Sequence, residues 1–74
     1  MEYKVFYVGL PDEYLEETPF MDFADAEALA VETLTEVAKD VTVEAGARIV
    51  GSAKRTDRSM SEYVLLNGVV EKIL

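Results

Sequence analysis

The side chains with the most potential for chemistry in this sequence are carboxylates, and they are concentrated in one segment. Residues 11–32, PDEYLEETPFMDFADAEALAVE, contain eight Asp and Glu side chains and no Lys, Arg or His. Carboxylates can coordinate hard cations, act as a general acid and base, or present negative charge to a basic partner. Each of these three possibilities makes a different demand on the rest of the chain.

Metal binding and catalysis are both poorly matched by the sequence. A calcium loop places acidic ligands at alternate positions around a central Gly, and the segment DEYLEE lacks that spacing. The chain has no His and no Cys, which removes imidazole bases, thiol nucleophiles and zinc sites. A pair of catalytic carboxylates needs a substrate cleft, for which a chain of 74 residues has little room. We therefore expect no catalytic residue, no metal and no cofactor: the chain is predicted not to be an enzyme.

Length and composition predict one small domain, residues 1–74. Half of the side chains are hydrophobic, which favours a folded core in spite of a net charge of −8. A chain this short buries only about 60% of its unfolded surface, and with no disulfide its stability is expected to be marginal. No segment approaches the roughly 20 apolar residues of a membrane span, and Glu2 and Lys4 interrupt the N-terminus. We expect a cytoplasmic protein with no membrane contact.

Helical spacing is clear in residues 23–39, FADAEALAVETLTEVAK, which contain no Gly or Pro. Asp22 is a suitable N-cap, with Asp25 as a capping-box acid, and Lys39 is expected in the last turn, where it suits the helix dipole. At 100° per residue one stripe is apolar and forms the predicted buried face: Phe23, Ala26, Ala30, Leu34 and Val37.

The opposite side of this helix carries a column of acids: Asp25, Glu32 and Glu36, at separations of seven and four residues. Leu29 lies beside that column, and Val31 lies on the other flank. Both are nearer to the solvent side than core residues should be.

The remaining segments predict strands. Residues 2–10, EYKVFYVGL, are apolar on both alternating faces, which predicts a central strand covered on both sides; one face takes Tyr3, Val5 and Tyr7, and the other takes Lys4, Phe6, Val8 and Leu10. Residues 41–53, VTVEAGARIVGSA, fit one long strand or two short strands that turn at Ala45-Gly46, and KRTDRSMS at 54–61 is expected to be a polar connection.

The last thirteen residues, EYVLLNGVVEKIL, predict a β-hairpin. Asn67-Gly68 between apolar strands is typical of a type I′ turn, in which Leu66 faces Val69 and Val64 faces Glu71. The whole order is β-α-β-β-β, with an acidic loop at 11–22. The predicted fold class is α+β, with one amphipathic helix packed on a small antiparallel sheet of 3–5 strands.

Segregation of charge carries the functional prediction. From Val5 to Ala38 there are nine acids and no base, whereas a solubilising surface intersperses both signs. Along the helix, the acidic column spaces its charges at roughly 10 and 6 Å, near three and two steps of the ~3.4 Å phosphate spacing along each strand of DNA. Adaptation to high salt is another cause of acidity, but Lys supplies four of the seven basic residues here.

In short length, acidity and lack of Cys and His, the chain resembles in type the DNA-mimic inhibitors that phages and mobile elements use against host proteins. The resemblance implies an anti-defence or host-takeover inhibitor that occupies the basic DNA- or RNA-binding surface of a nucleoid protein, polymerase subunit or nuclease. Direct nucleic-acid binding is not expected, because the basic cluster KRTDR is too small. The predicted partner-binding residues are Asp12, Glu13, Glu16, Glu17, Asp25, Glu32 and Glu36.

The alternative is a small self-associating structural or oligomeric protein, with a homodimer as its expected form, whose acidity only maintains solubility. Leu29 and Val31 near the outer helix face are its predicted self-association residues. The apolar C-terminal hairpin could also pair edge to edge with a second copy.

Overall fold

A computed structural model describes residues 2–10, 19–20, 22–40, 43–44, 46–56 and 58–74. In chain order the elements are β1 (Lys4–Val8), α1 (Phe23–Val37), β2 (Ile49–Arg55), β3 (Arg58–Leu66) and β4 (Val69–Lys72). The strands form one antiparallel sheet in the order β1-β2-β3-β4, and α1 packs on one face of it. The α+β prediction and its β-α-β-β-β order are confirmed. Most of the predicted acidic loop lies outside the described residues, and the single domain stays a prediction.

Helix α1 begins where the sequence predicts. Asp22 has extended backbone angles, and its Oδ1 accepts a hydrogen bond of 2.8 Å from the backbone N–H of Ala24, which identifies it as the N-cap. Four of the five residues in the predicted apolar stripe are buried, and Phe23 is half-buried. The helix ends at Val37, so Lys39 lies beyond the C-cap and not in the last turn as predicted.

Small residues let α1 lie close to the sheet. Ala26 and Ala30 pack with Val5 of β1 and Ala53 of β2, and all four are buried. A second buried cluster continues along the helix and is formed by Leu10, Leu34, Val37, Ile49 and Leu65. Between the clusters lies Gly51, where a Cβ would come within 3.2 Å of the Tyr7 ring and 3.4 Å of Leu34. The close helix–sheet contact therefore depends on the lack of side-chain volume at this position.

Strand β1 is an edge strand, and the prediction of a central strand was wrong. It pairs with β2 alone among the described strands. Within the described residues, the one further pairing at its outer edge is the bridge between Tyr3, just before the strand, and Phe20. Val5 is buried under the helix, whereas Phe6 and Val8 are exposed on the other face. The apolar residues on the second face of β1 are therefore exposed and not covered by another layer.

Gly9 reverses the alternation of side chains at the end of β1, so that Leu10 lies on the helix side of the sheet. Simple alternation predicts Leu10 on the face with Phe6 and Val8, but Leu10 is buried in the cluster beneath the helix. Gly9 has φ +84°, a left-handed conformation that breaks the two-residue period of a strand.

The segments after the helix also differ in part from prediction. Strand β2 begins only at Ile49, and the described residues before it, 43–44 and 46–48, are not in a strand as predicted. Residues 41, 42 and 45 of this predicted segment lie outside the described residues. The segment KRTDRSMS is mostly strand, because backbone pairing continues to Arg55 opposite Arg58. Polar side chains do not prevent this pairing, since the ladder hydrogen bonds come from the backbone.

The C-terminal hairpin is confirmed as predicted. Asn67 has φ 51° and Gly68 has φ 80°, the positive values that a type I′ turn requires. Leu66 pairs with Val69 and Val64 pairs with Glu71.

We expect Gly9→Ala to destabilise the fold more than Gly46→Ala. Both glycines have positive φ, so both alanines are strained, but only at Gly9 would the Cβ meet backbone, 2.8 Å from the Arg48 carbonyl oxygen. Urea denaturation should show a loss of roughly 1 kcal/mol for Gly46→Ala and about 2–3 kcal/mol for Gly9→Ala. Equal losses at the two positions would contradict the close approach at Gly9.

Candidate acidic interaction surface

The acidic column of Asp25, Glu32 and Glu36 lies on the exposed side of α1. All three side chains are solvent-exposed. Because each residue of a helix is rotated by 100° from the one before it, the three fall within about 40° of one another around the helix axis. None of them forms an ion pair with any described residue. Glu32 and Glu36 are one turn apart, and like charges at this spacing destabilise a helix by about 0.2–0.5 kcal/mol. The column is therefore present in spite of a stability cost.

Glu27 is a different kind of acid from those of the column. It is half-buried on the flank of α1 that faces β3 and β4, where its Oε2 accepts a hydrogen bond of 3.1 Å from the Tyr63 hydroxyl. Lys72 Nζ lies 3.6 Å from the same oxygen. Glu27, Tyr63 and Lys72 thus connect the helix to β3 and β4. Because Lys72 pairs with Glu27 and not with a column acid, the charge of the column is not neutralised by this contact. Sequence reasoning missed this contact, because no local pattern relates residues 36 positions apart.

The pKa of Tyr63 is raised from its ordinary value of 10.0, first by burial and then by the hydrogen bond to Glu27 and its negative charge. The neutral phenol is thus favoured in the folded state. Its contribution to stability is complete below the unfolded pKa and is lost as the pH rises through the higher folded pKa.

Charge is divided between the two faces of the sheet. Lys4 and Lys54 lie opposite each other on β1 and β2, on the face away from the helix, because their neighbours Val5 and Ala53 point into the core. Lys54 Nζ lies 5.1 Å from the centre of the Phe6 ring, a cation–π contact that holds it on that face. The helix side is consequently acidic, and these two lysines do not neutralise it.

The other predicted site residues have mixed outcomes. Asp12, Glu13, Glu16 and Glu17 lie outside the described residues, so the structure does not place them relative to the column. Leu29 is half-buried and packs against the Val5–Ala53 cluster, so its side chain already contacts its own domain. Val31 is half-buried as well.

The described residues also bear on the prediction of no metal site. Across the described part of the chain, no three Asp, Glu, His or Cys side chains come together as cation ligands. A surface depression of about 340 Å³ lies beyond the C-terminal end of α1 and carries two carboxylates, Asp40 and Glu44, without a basic side chain in its lining. The helix that the structure describes is too short and too polar to cross a bilayer.

Comparison with known proteins adds no family to this description. No protein-family model, no curated protein and no solved structure matches the chain. The function has to be argued from the acidic column and its surroundings.

We expect the Tyr63 titration to depend on Glu27. The difference in tyrosinate absorbance between the wild type and Tyr63→Phe should show a midpoint above the ordinary pKa of 10.0. Glu27→Gln removes the negative charge and should move that midpoint down, although burial keeps it above the ordinary value. Glu36→Gln, an exposed acid on the far side of the helix, is the matched control and should leave the midpoint unchanged. A midpoint unaffected by Glu27→Gln would contradict the contact.

Proposed function

We propose that this chain is a non-catalytic acidic binding protein that inhibits a nucleic-acid-binding protein by occupying its basic surface. The observation that carries the proposal is the column of Asp25, Glu32 and Glu36, exposed on a helix whose opposite side is locked to a sheet. No described cation neutralises the column. A rigid row of unpaired carboxylates is suited to a partner that supplies the missing positive charge.

The spacing of the column favours a partner that normally binds phosphates. Neighbouring carboxylates are separated along the helix by roughly 10 and 6 Å, on the scale of three and two phosphate steps of ~3.4 Å. A groove lined with Lys and Arg for a nucleic-acid backbone would meet several of these charges at once. Asp12, Glu13, Glu16 and Glu17 are proposed to add negative charge next to the column.

The proposed partner is a nucleoid protein, polymerase subunit or nuclease, met in the cytoplasm as part of a phage-type host-takeover or anti-defence role. Binding of this kind is steered by long-range attraction, so association is fast and weakens as salt is added. The chain itself is not proposed to bind nucleic acid, since its own charge repels a polyanion.

Charge reversal on the column should abolish capture of the partner. Wild-type protein immobilised and exposed to a bacterial lysate should retain one or a few basic nucleic-acid-binding proteins, released by a salt gradient and by competing DNA. Glu32→Lys combined with Glu36→Lys should reduce the affinity for the captured protein at least tenfold, because two attractive contacts become repulsive.

The matched control reverses two acids elsewhere, Glu2→Lys combined with Glu44→Lys. Both residues are exposed, and the change in net charge is the same. If both double variants lost binding equally, overall charge and not the column would carry the interaction. If neither variant lost binding, the proposed surface would be wrong.

The alternative function is that of a self-associating structural protein. The role of Leu29 and Val31 in self-association stays a prediction. The contact of Leu29 with the core means that Leu29→Asp would disturb folding as well as any oligomer. A substitution there is a poor test of self-association. The exposed residues of the sheet provide a better one.

A further inference from the structure

The face of the sheet opposite α1 is apolar, and no described element packs on it. Its exposed members include Phe6 at 37%, Val8 at 69%, Leu66 at 42% and Val69 at 54% relative exposure. We name as the open sheet face the six apolar residues that share this side: Phe6, Val8, Val50, Val64, Leu66 and Val69. The two central members are less exposed than the others, because Val50 is half-buried and Val64 is 8% exposed among its neighbours.

Strand pairing joins these residues into one patch. Val8 of β1 is paired with Val50 of β2, which is paired with Val64 of β3, so three valines form a row across the sheet. Leu66 and Val69 form the next row on β3 and β4. The patch is exposed at Val8, Leu66 and Val69, around the less exposed Val50 and Val64. A contiguous apolar patch of this kind on a small protein is typical of an interaction site.

The charges on this face are arranged in two halves. Lys4 and Lys54 lie on β1 and β2, at the end of the sheet remote from the Asn67-Gly68 turn. Glu62 and Glu71 lie on β3 and β4, opposite Ser52 and Val64 in the strand register. One half of the face is therefore basic and the other acidic, with apolar side chains between them.

We propose that the open sheet face is a homodimer interface, on which a second copy packs with its own open sheet face about a twofold axis parallel to the strands. This axis places β2 of each copy over β3 of the other. Val50 then lies over Val64 of the partner subunit at the centre. Lys54 lies diagonally across from Glu62 of the partner subunit, and the symmetry repeats this attraction on the other side.

Charge complementarity selects the second copy as the occupant, and it also selects the axis. A twofold axis perpendicular to the strands and in the plane of the interface would stack β2 on β2 with the strand directions reversed, and Lys54 would then lie far from Glu62 of the partner subunit. The axis parallel to the strands instead brings opposite charges together on both sides of the valine row. The first arrangement lacks this attraction, so charge favours the second.

The arrangement also avoids repulsion between the acidic helices. Stacked sheets lie about 10 Å apart, and each α1 is on the outer side of its own sheet. The two acidic columns are thus separated by much more than the ~8 Å Debye length at physiological ionic strength. The dimer would present two acidic surfaces facing away from each other, although the inference does not depend on what those surfaces bind.

The size of the face sets the expected strength. Four strands about 4.8 Å apart, over about five residues of about 3.3 Å each, give a flat footprint of roughly 300 Å² per copy. That is below the ~800 Å² per partner of a standard interface, so we expect a weak, reversible dimer.

A charge-swap experiment tests the interface with the full chain. Sedimentation velocity of the wild type from ~10 µM to ~1 mM should show a reversible monomer–dimer equilibrium. Lys54→Glu and Glu62→Lys should each weaken self-association at least tenfold. An equimolar mixture of the two variants should form a heterodimer at wild-type strength, because each altered residue then meets an opposite charge.

The control is Glu32→Lys combined with Glu36→Lys, which changes the helix face and should leave dimerisation unchanged. Circular dichroism of each variant establishes that it is folded. In an NMR dilution series of the wild type, the shifting amides should include those of Val8, Val50 and Val64. A monomer throughout the concentration range, swaps without effect, or shifts confined to the helix or to the free edge of β4 would each overturn the proposal.

Discussion

The contact between the small side chains of α1 and those of the sheet is the constraint on which the other features depend. Ala26 and Ala30 lie directly against Val5 and Ala53, and Gly51 leaves room for Leu34 and the Tyr7 ring. Because the apolar stripe is fully used in this contact, the acids of the helix can lie only on its flanks or its outer side. Packing of the alanine side against the sheet therefore directs the helix acids towards the flanks and the outer side.

A chain of 74 residues is long enough for two layers of secondary structure. The described residues form one helix packed on one sheet. A two-layer protein has two outer surfaces, and here they differ in chemistry. The helix surface is acidic, whereas the open sheet face is apolar with lysines on one side and glutamates on the other. Glu27 shows that an acid can also serve the fold, since its bond to Tyr63 joins the layers. Asp25 lies in the first turn of α1, where an acid suits the helix dipole, but Glu32 and Glu36 of the column have no such structural use.

Local features were predictable from the sequence. The Asp22 cap, the alanine stripe and the Asn67-Gly68 hairpin each depend on neighbours within a few residues, and each is found where it is expected. The position of β1 at the sheet edge was not predictable, because an apolar but uncovered face has the same alternation as a covered one. Leu10 was misplaced for a related reason: a single left-handed glycine reverses the alternation.

In the candidate site, too, only the features set by neighbouring residues were predictable from the sequence. Periodicity placed Asp25, Glu32 and Glu36 on one exposed side, since their relative positions are set by the helix itself. The Glu27–Tyr63–Lys72 contact and the open sheet face depend on strand order and register, which arise from pairing between distant segments. The partner-binding role of the column stays a proposal that rests on charge and position.

We infer that the charge of the helix face is kept at the expense of stability. The most direct measurement is the free energy of unfolding in urea at increasing NaCl concentration, on the wild type and on the Glu32→Gln, Glu36→Gln double variant. Screening should relieve repulsion, so the account predicts that the wild type becomes more stable with salt and that the double variant responds less. A wild type whose stability is unchanged or lowered by salt, or a double variant with the same salt response, would contradict the account.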